Sequence, residues 1–313
     1  MRIAFFYVVA TLLTLALATL YSRFFDGADF LSLFYSLQLH FSVACALVAL
    51  VLVAIKTRSL YAWFMLFASC VLIGHSFALM RASTMPPVTE EQAANGILLR
   101  VLSFNILFGN PKGQEIADIV RNSGADVVAV MEAHPLRPHL EALKTIYPYR
   151  LGCASPQSVC DLMLLSKYPL MDGNFGNLSA LWKNRLVTAA VSVNGKRVNL
   201  VAAHLSKPYY DEFHRREAMR LARLIANLQG PVVLTGDFNA SSMAPDMQTL
   251  LRTSGLHKVL WEAATWPVRA GAYGIAIDHV YVRAPMRFRA LQQVGPAGSN
   301  HYGVLADLVL TEG

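Results

Sequence analysis

Seven side chains able to do chemistry stand at the borders of apolar runs in this 313-residue chain: Asn105, Glu132, His204, Asp237 and Asn239 each follow one, Asp278 lies within one, and His301 precedes one. Carboxylates are ligands for hard cations, a neutral amide can donate to a phosphoryl oxygen, and imidazoles exchange protons near neutral pH. Taken singly, each has an ordinary explanation as a turn former or a structural histidine. Gathered at one sheet edge, they are the equipment of a metal-assisted hydrolase.

The elements that must deliver them begin with Pro231-Val-Val-Leu-Thr-Gly-Asp-Phe-Asn-Ala240, an apolar, partly β-branched run that breaks at Gly236. Such a run between turn formers reads as a strand covered on both faces. If the backbone stays extended, its period of two puts Asp237 and Asn239 on one side. Residues 97–104 and 126–131 are strands of the same kind, ending at Asn105 and Glu132. Residues 185–193, Asn194-Gly195 and 196–203 form a hairpin whose second strand runs into His204, because Asn-Gly between β-rich runs is a strong hairpin signal.

Helical spacing over 112–123, 135–147, 211–228 and 242–253 supplies the covering elements. The basic face of the third, with Arg215, Arg216, Arg220 and Arg223, reads as solvated surface. Further strands are expected near 149–153 and 160–166, and over 275–282, 286–294 and 303–310. An acid in the middle of the 275–282 strand needs a partner or a cleft, which singles out Asp278. Cys153 and Cys160 flank a loop of 154–159, and a hairpin there could bring them close enough to bridge; two free buried thiols are the alternative.

The first quarter of the chain is of another kind. Residues 3–22, 30–55 and 59–80 contain no Asp, Glu, Lys or Arg, and each is long enough, at about 20 residues, to cross a bilayer as a helix. Arg2, Lys56 and Arg58 flank one side, whereas Arg23, Asp26, Asp29, Arg81, Glu90 and Glu91 flank the other. Positive charge stays inside, so the amino terminus is expected in the cytoplasm and everything beyond Arg81 outside it. The division is a membrane anchor at 1–81, an exposed linker at 82–96 rich in Pro, Glu and Gln, and a catalytic domain at 97–313. The formal charge of +7 is spread without a dense basic stripe, which suits approach to anionic lipid or nucleic acid without a nucleic-acid-binding footprint.

Ser103-Phe-Asn105, Met131-Glu132, Ala203-His-Leu205, Gly236-Asp-Phe-Asn239, Ile277-Asp-His279 and Ser299-Asn-His301, in this order and at these intervals, resemble the endonuclease/exonuclease/phosphatase superfamily of metal-dependent phosphoesterases, in a membrane-anchored bacterial form. The resemblance implies a four-layer α/β sandwich with two central mixed β-sheets flanked by helices, here preceded by three transmembrane helices. It implies a divalent cation, Mg²⁺ or alternatively Mn²⁺, held by Glu132 with Asn105 assisting. His204 would meet the scissile phosphate, Asp237 and Asn239 would orient water and phosphate, and His301 would exchange protons with its tautomer fixed by Asp278. Arg185 is a weaker candidate for a phosphate contact.

One position departs from that pattern. Relatives read Ser-Asp-His where this chain has Asn300, and a neutral amide near the metal contributes an oxygen but no charge. The expectation is a hydrolase of phosphodiester or phosphomonoester bonds in nucleic acid or lipid headgroups. It would sit in the bacterial cytoplasmic membrane with its catalytic domain on the periplasmic or extracellular side. The competing expectation is a non-catalytic binding module whose hydrolase site has decayed at Asn300.

Overall fold

A computed structural model describes residues 2–25, 29–153 and 160–311; Asp26 and the expected 154–159 loop lie outside them. The chain divides into two compact units, one holding residues 1–82, 208–212 and 240–248, the other 83–207, 213–239 and 249–313.

The first unit is built on α1 (Arg2–Tyr21), α2 (Ser32–Ser36), α3 (Gln38–Ile55) and α4 (Leu60–Arg81). Three helices, Ile3–Phe24, Gln38–Ile55 and Leu60–Arg81, are long and apolar enough to cross a membrane. The second expected span is interrupted. Its helix breaks at Leu37, where φ −97° and ψ 15° leave the helical region, so α2 and α3 replace one continuous rod. The cause lies in the polar residues Ser36 and Gln38 on either side, both buried and both bonded to groups other than their own helix.

The second unit holds two sheets. Eight described strands of it run into or out of one edge. β1 (Ile97–Asn105) is parallel to β2 (Val127–Met131), and is flanked by β11 (Gly303–Leu310) on its other side. With β3 (Tyr149–Leu151), β4 (Leu162–Ser166) and β10 (Met286–Val294) they form a six-stranded sheet ordered β10-β11-β1-β2-β4-β3. The other sheet orders β5 (Met171–Gly176), β6 (Leu186–Val193), β7 (Lys196–His204), β8 (Val232–Asp237) and β9 (Asp278–Arg283) consecutively, with β7 and β8 parallel.

Alternation explains the layers. Leu99, Val101, Val127, Ala129 and Leu164 of the first sheet share one core with Val187, Val191, Leu200, Ala202, Val233 and Val282 of the second. The intervening residues Leu102, Phe104, Val128 and Val130 pack the opposite face with Ile116 and Val120 of α6 (Gly113–Asn122). Both faces of β1 and β2 are thus buried, the reason their sequences are almost unbroken apolar runs. On the second sheet, α8 (Phe213–Ala226) turns His214, Glu217, Ala218, Leu221 and Ile225 inward and leaves Arg215, Arg216 and Arg220 in solvent. The arrangement is the expected sandwich of two mixed sheets flanked by helices.

Three expectations change. The 135–147 helix is a 3₁₀ turn, His134–His139, followed by the single turn α7 (Leu140–Leu143), because Pro135 and Pro138 withhold the backbone donors of a longer helix. The 82–96 segment is a strap, not a free linker. Met85 N donates to Lys258 O (3.4 Å), Val88 N to Phe288 O (3.0 Å), and Thr89 with Gln92 forms a capping box opening α5 (Glu90–Asn95). Asp278 opens its strand instead of sitting mid-strand, opposite Asp237 in register. The remaining helix, α9, covers Pro245–Ser254.

Candidate active site

The parallel pairs β1/β2 and β7/β8 bring Asn105, Glu132, His204 and Asp237 to their carboxyl ends. Their antiparallel neighbours start at that same edge: β9 with Asp278, β4 directly after Asp161, β6 directly after Arg185 and β11 two residues after His301. Topology, not sequence proximity, assembles the group.

Asp237 Oδ2 is its centre. Asn105 Nδ2 donates to it at 2.9 Å from the facing sheet, and also to Glu132 Oε1 at 3.2 Å. His204 Nε2 lies 3.7 Å from that same oxygen and His301 Nε2 lies 4.0 Å from it. Leu107 N donates to Asn105 Oδ1 (3.1 Å), which fixes the amide with its NH₂ toward the two carboxylates. Glu132 Oε2 accepts from Phe108 N (2.6 Å). One oxygen each of Asp237 and Asp278 and one ring nitrogen of His301 all lie within 4.8 Å of one another.

Unusual backbone holds the set. Glu132 and Asn239 adopt φ +53° and +52°, where a residue with a side chain is strained by about 1 kcal/mol or more. Asn239 is kept there by its own N–H on Asp237 Oδ1 (2.8 Å) and by its Nδ2 on Leu205 O (2.9 Å). The buried His214 imidazole, Nε2 at 2.7 Å from Phe238 O, supports the same turn from α8. Glu217 accepts from Ser206 N (2.7 Å) and Oγ (3.0 Å), securing the chain as it leaves His204. Ser299 Oγ donates to Asn105 O (2.7 Å) and accepts from His301 N (3.0 Å), tying the Ser-Asn-His turn to the end of β1.

Both imidazoles are tuned by carboxylates. Burial works against the charged form of His301 most strongly, yet Asp278 (Nδ1 to Oδ2, 2.8 Å), Asp237 and Glu132 together raise its pKa to about 9. His204 is buried too, but Asp161 at its Nδ1 (3.1 Å) and Asp237 hold its pKa above the ordinary value against the opposing Arg185 charge. Asp161 is itself kept below the usual carboxylate range: burial pushes it up, and His204 and Arg185 (Nε to Oδ2, 2.6 Å) outweigh that.

Removing the Asp278 charge should therefore be visible at His301. In metal-free protein the His301 imidazole resonances are expected to titrate near pH 9, and in Asp278→Asn at clearly lower pH. A raised folded pKa contributes stability fully present below pH 6.5 and lost as pH rises through 9. NMR titration of the two proteins decides it; an unshifted Asp278→Asn curve would refute the pairing as the cause.

The structure thus gathers Asn105, Glu132, His204, Asp237, Asn239, Asp278 and His301. Arg185 is instead committed to Asp161 and lies 4.8 Å over the Trp182 ring. Asn300 is exposed, its carbonyl accepting from Val268 N. Sequence reasoning missed Asp161, which follows Cys160, now bridged to Cys153 with Cα atoms 4.8 Å apart. Its signal was an acid at the head of a fully buried strand.

A family model described as "Endonuclease/Exonuclease/phosphatase family" matches residues 102–301. No curated protein sequence matches the chain. Among solved structures it is similar to an endonuclease/exonuclease/phosphatase from Beutenbergia cavernae (TM-score 0.55, 20% identity, 69% of this chain and 72% of that one). It is similar to D. rerio TDP2 complexed with a single-strand DNA product (TM-score 0.57, 16% identity, 67% and 98%). It also resembles beta toxin from Staphylococcus aureus with bound magnesium ions (TM-score 0.50, 17% identity, 66% and 98%).

Proposed function

From the premise that this chain belongs to the Endonuclease/Exonuclease/phosphatase family, we propose that it is a membrane-tethered phosphoesterase. It would use a divalent cation to hydrolyse phosphodiester or phosphomonoester bonds of nucleic acid or lipid headgroups outside the bacterial cytoplasm. The observation that carries this reading is the convergence of Asn105, His204 and His301 on Asp237 Oδ2, within reach of Glu132.

The donor set fits a hard cation. Glu132, Asp237 and Asp278 supply carboxylate oxygens, the ligands Mg²⁺ prefers, and Asp278 Oδ1 is buried with no hydrogen-bond partner. Glu132 is the principal ligand, and Asn105 assists by holding two carboxylates through its amide donors. Asn300 adds no charge, leaving the cation to the carboxylates. Bound there, the cation supplies Lewis-acid stabilisation of charge on the phosphoryl oxygens.

The protein's own residues do the rest. His204, its Nδ1 fixed on Asp161, presents Nε2 to a phosphoryl oxygen and offsets the charge that develops there. Asp237 orients the attacking water and accepts its proton as the phosphorus–oxygen bond forms. Asn239 offers its remaining amide hydrogen to the phosphate. His301, steered by Asp278 at its Nδ1, gives a proton to the leaving oxygen.

The test uses the full chain in nanodiscs on plasmid DNA, short RNA, phosphodiester lipids and a chromogenic diester, with Mg²⁺, Mn²⁺ or chelator. Turnover on at least one substrate is expected with metal and is lost on chelation. Absence of turnover on all of them would overturn the proposal in favour of a binding module decayed at Asn300. Orientation is tested separately, by a reporter fused after Gly313 that should be active only outside the cytoplasm.

A further inference from the structure

Asp278 and His301 meet at 2.8 Å, Oδ2 to Nδ1, although they belong to different sheets and no strand ladder sets that distance. Asp278 opens β9, the last strand of the five-stranded sheet, and His301 stands two residues before β11 of the six-stranded one. The β8/β9 ladder secures Asp278 to its sheet, and Ser299 secures the Ser-Asn-His turn to β1 of the other. Neither spans from one partner to the other.

Thr265 does. It is fully buried in the segment between α9 and β9. Its Oγ1 accepts from Ile277 N and Asp278 N, both at 3.1 Å, and its carbonyl accepts from Tyr302 N, directly after His301, at 2.9 Å. One residue thus holds the backbone at both members of the pair. The segment around it is pinned in turn. Thr265 N donates to Ile275 O (2.9 Å), Gln293 of β10 donates to Ala264 O, and Val268 N donates to Asn300 O (3.1 Å). Upstream, Glu262 Oε1 lies 2.7 Å from Nδ1 of His279, the residue after Asp278. Valine has nearly the shape of threonine and lacks the acceptor, so it isolates what the hydroxyl does.

We propose that Thr265 is a positioning residue for the acid step: by bonding Asp278 with its hydroxyl and the chain after His301 with its carbonyl, it sets how the imidazole meets the leaving oxygen. The proposal rests on the phosphoesterase reading. Thr265 touches no reacting atom and acts through Asp278 and His301.

The test compares the full chain in nanodiscs with Thr265→Val, Thr265→Ala and Thr265→Ser. In metal-free protein the amides of Ile277 and Asp278, deprived of their acceptor, should exchange faster in the valine and alanine variants than in the parent protein and Thr265→Ser. Steady-state kinetics with Mg²⁺ then compares two kinds of leaving group. Plasmid DNA, short RNA and phosphodiester lipids release alkoxides, which need a proton, whereas bis-p-nitrophenyl phosphate releases nitrophenolate, which does not. In the valine and alanine variants kcat on the alkyl esters should fall about tenfold, part of what a general acid supplies, with KM within about twofold. On the nitrophenyl diester kcat should stay within about twofold of the parent. Thr265→Ser, which keeps the acceptor, should recover most of the loss. The ratio of the two activities in one preparation is independent of the folded fraction, so partial misfolding does not imitate this result. Unchanged exchange, parental kcat on the alkyl esters in both variants, or an equal loss on both leaving groups would overturn the positioning role and leave the phosphoesterase reading standing. A parent protein that hydrolyses none of the alkyl esters would overturn that reading, and the positioning role with it.

Discussion

Asp237→Ala is expected to lower kcat by about 10³-fold or more, the range seen when a group that stabilises or orients the reacting centre is removed. The reason is convergence. The Asp237 carboxylate orders Asn239 through its backbone N–H, takes the Asn105 amide from the other sheet, and lies between the two imidazoles. Truncation removes a negative charge that raises the pKa of both His204 and His301, so the pH profile should move to lower pH as well. Steady-state kinetics beside circular dichroism would separate lost chemistry from lost fold. Activity within tenfold of the parent protein would show that Asp237 is only a neighbour of the reacting groups.

The second large effect is on folding. A Cβ built at Gly236 would lie 1.8 Å from Ala203 O, and the residue sits at φ +147°. Ala203 is its register partner across the parallel β7/β8 pair, so the obstruction is sheet backbone, which cannot swing aside as a side chain can. Gly236→Ala should destabilise by more than about 4 kcal/mol and yield little folded protein. Gly176→Ala in β5, where a new Cβ meets nothing within 4 Å, should stay within about 0.5 kcal/mol of the parent. Thermal unfolding of the two in detergent measures the contrast. Equal stabilities would show that the β7/β8 approach opens readily.

How much of this was legible in the sequence follows from burial. β1, β2, β7 and β8 are covered on both faces, so their apolar runs are unmistakable, and the first polar residue after each marks the edge where chemistry can happen. Asp278 was legible because an acid beside apolar β residues demands a partner, and His301 supplies it. Asp161 and Arg185 were harder because they precede their strands. An antiparallel neighbour brings its start, not its end, to the edge, and strand direction is not written in a single run. Glu217 was hidden in a helix whose arginines drew attention to the opposite face. The break at Leu37 was illegible for another reason: Gln38 interrupts an apolar span only mildly, and its cause is tertiary bonding to α4. Pro86, Pro87, Glu90 and Glu91 have the composition of a loose connector, and composition does not reveal that Met85 and Val88 find backbone partners on distant strands.

That strap bears on the protein's fate in a cell. Proteases that release membrane-bound enzymes need several consecutive residues of extended, unpaired chain to thread through their clefts. Between Arg81 and Ile97 the backbone offers little of this: Ser83 and Met85 are bonded to Lys258 and Val88 to Phe288, and the Thr89 capping box closes a helical turn just before β1. Cutting there would first require peeling the strap away from Lys258 and Phe288. Release of the second unit by a cut in this stretch is thereby disfavoured.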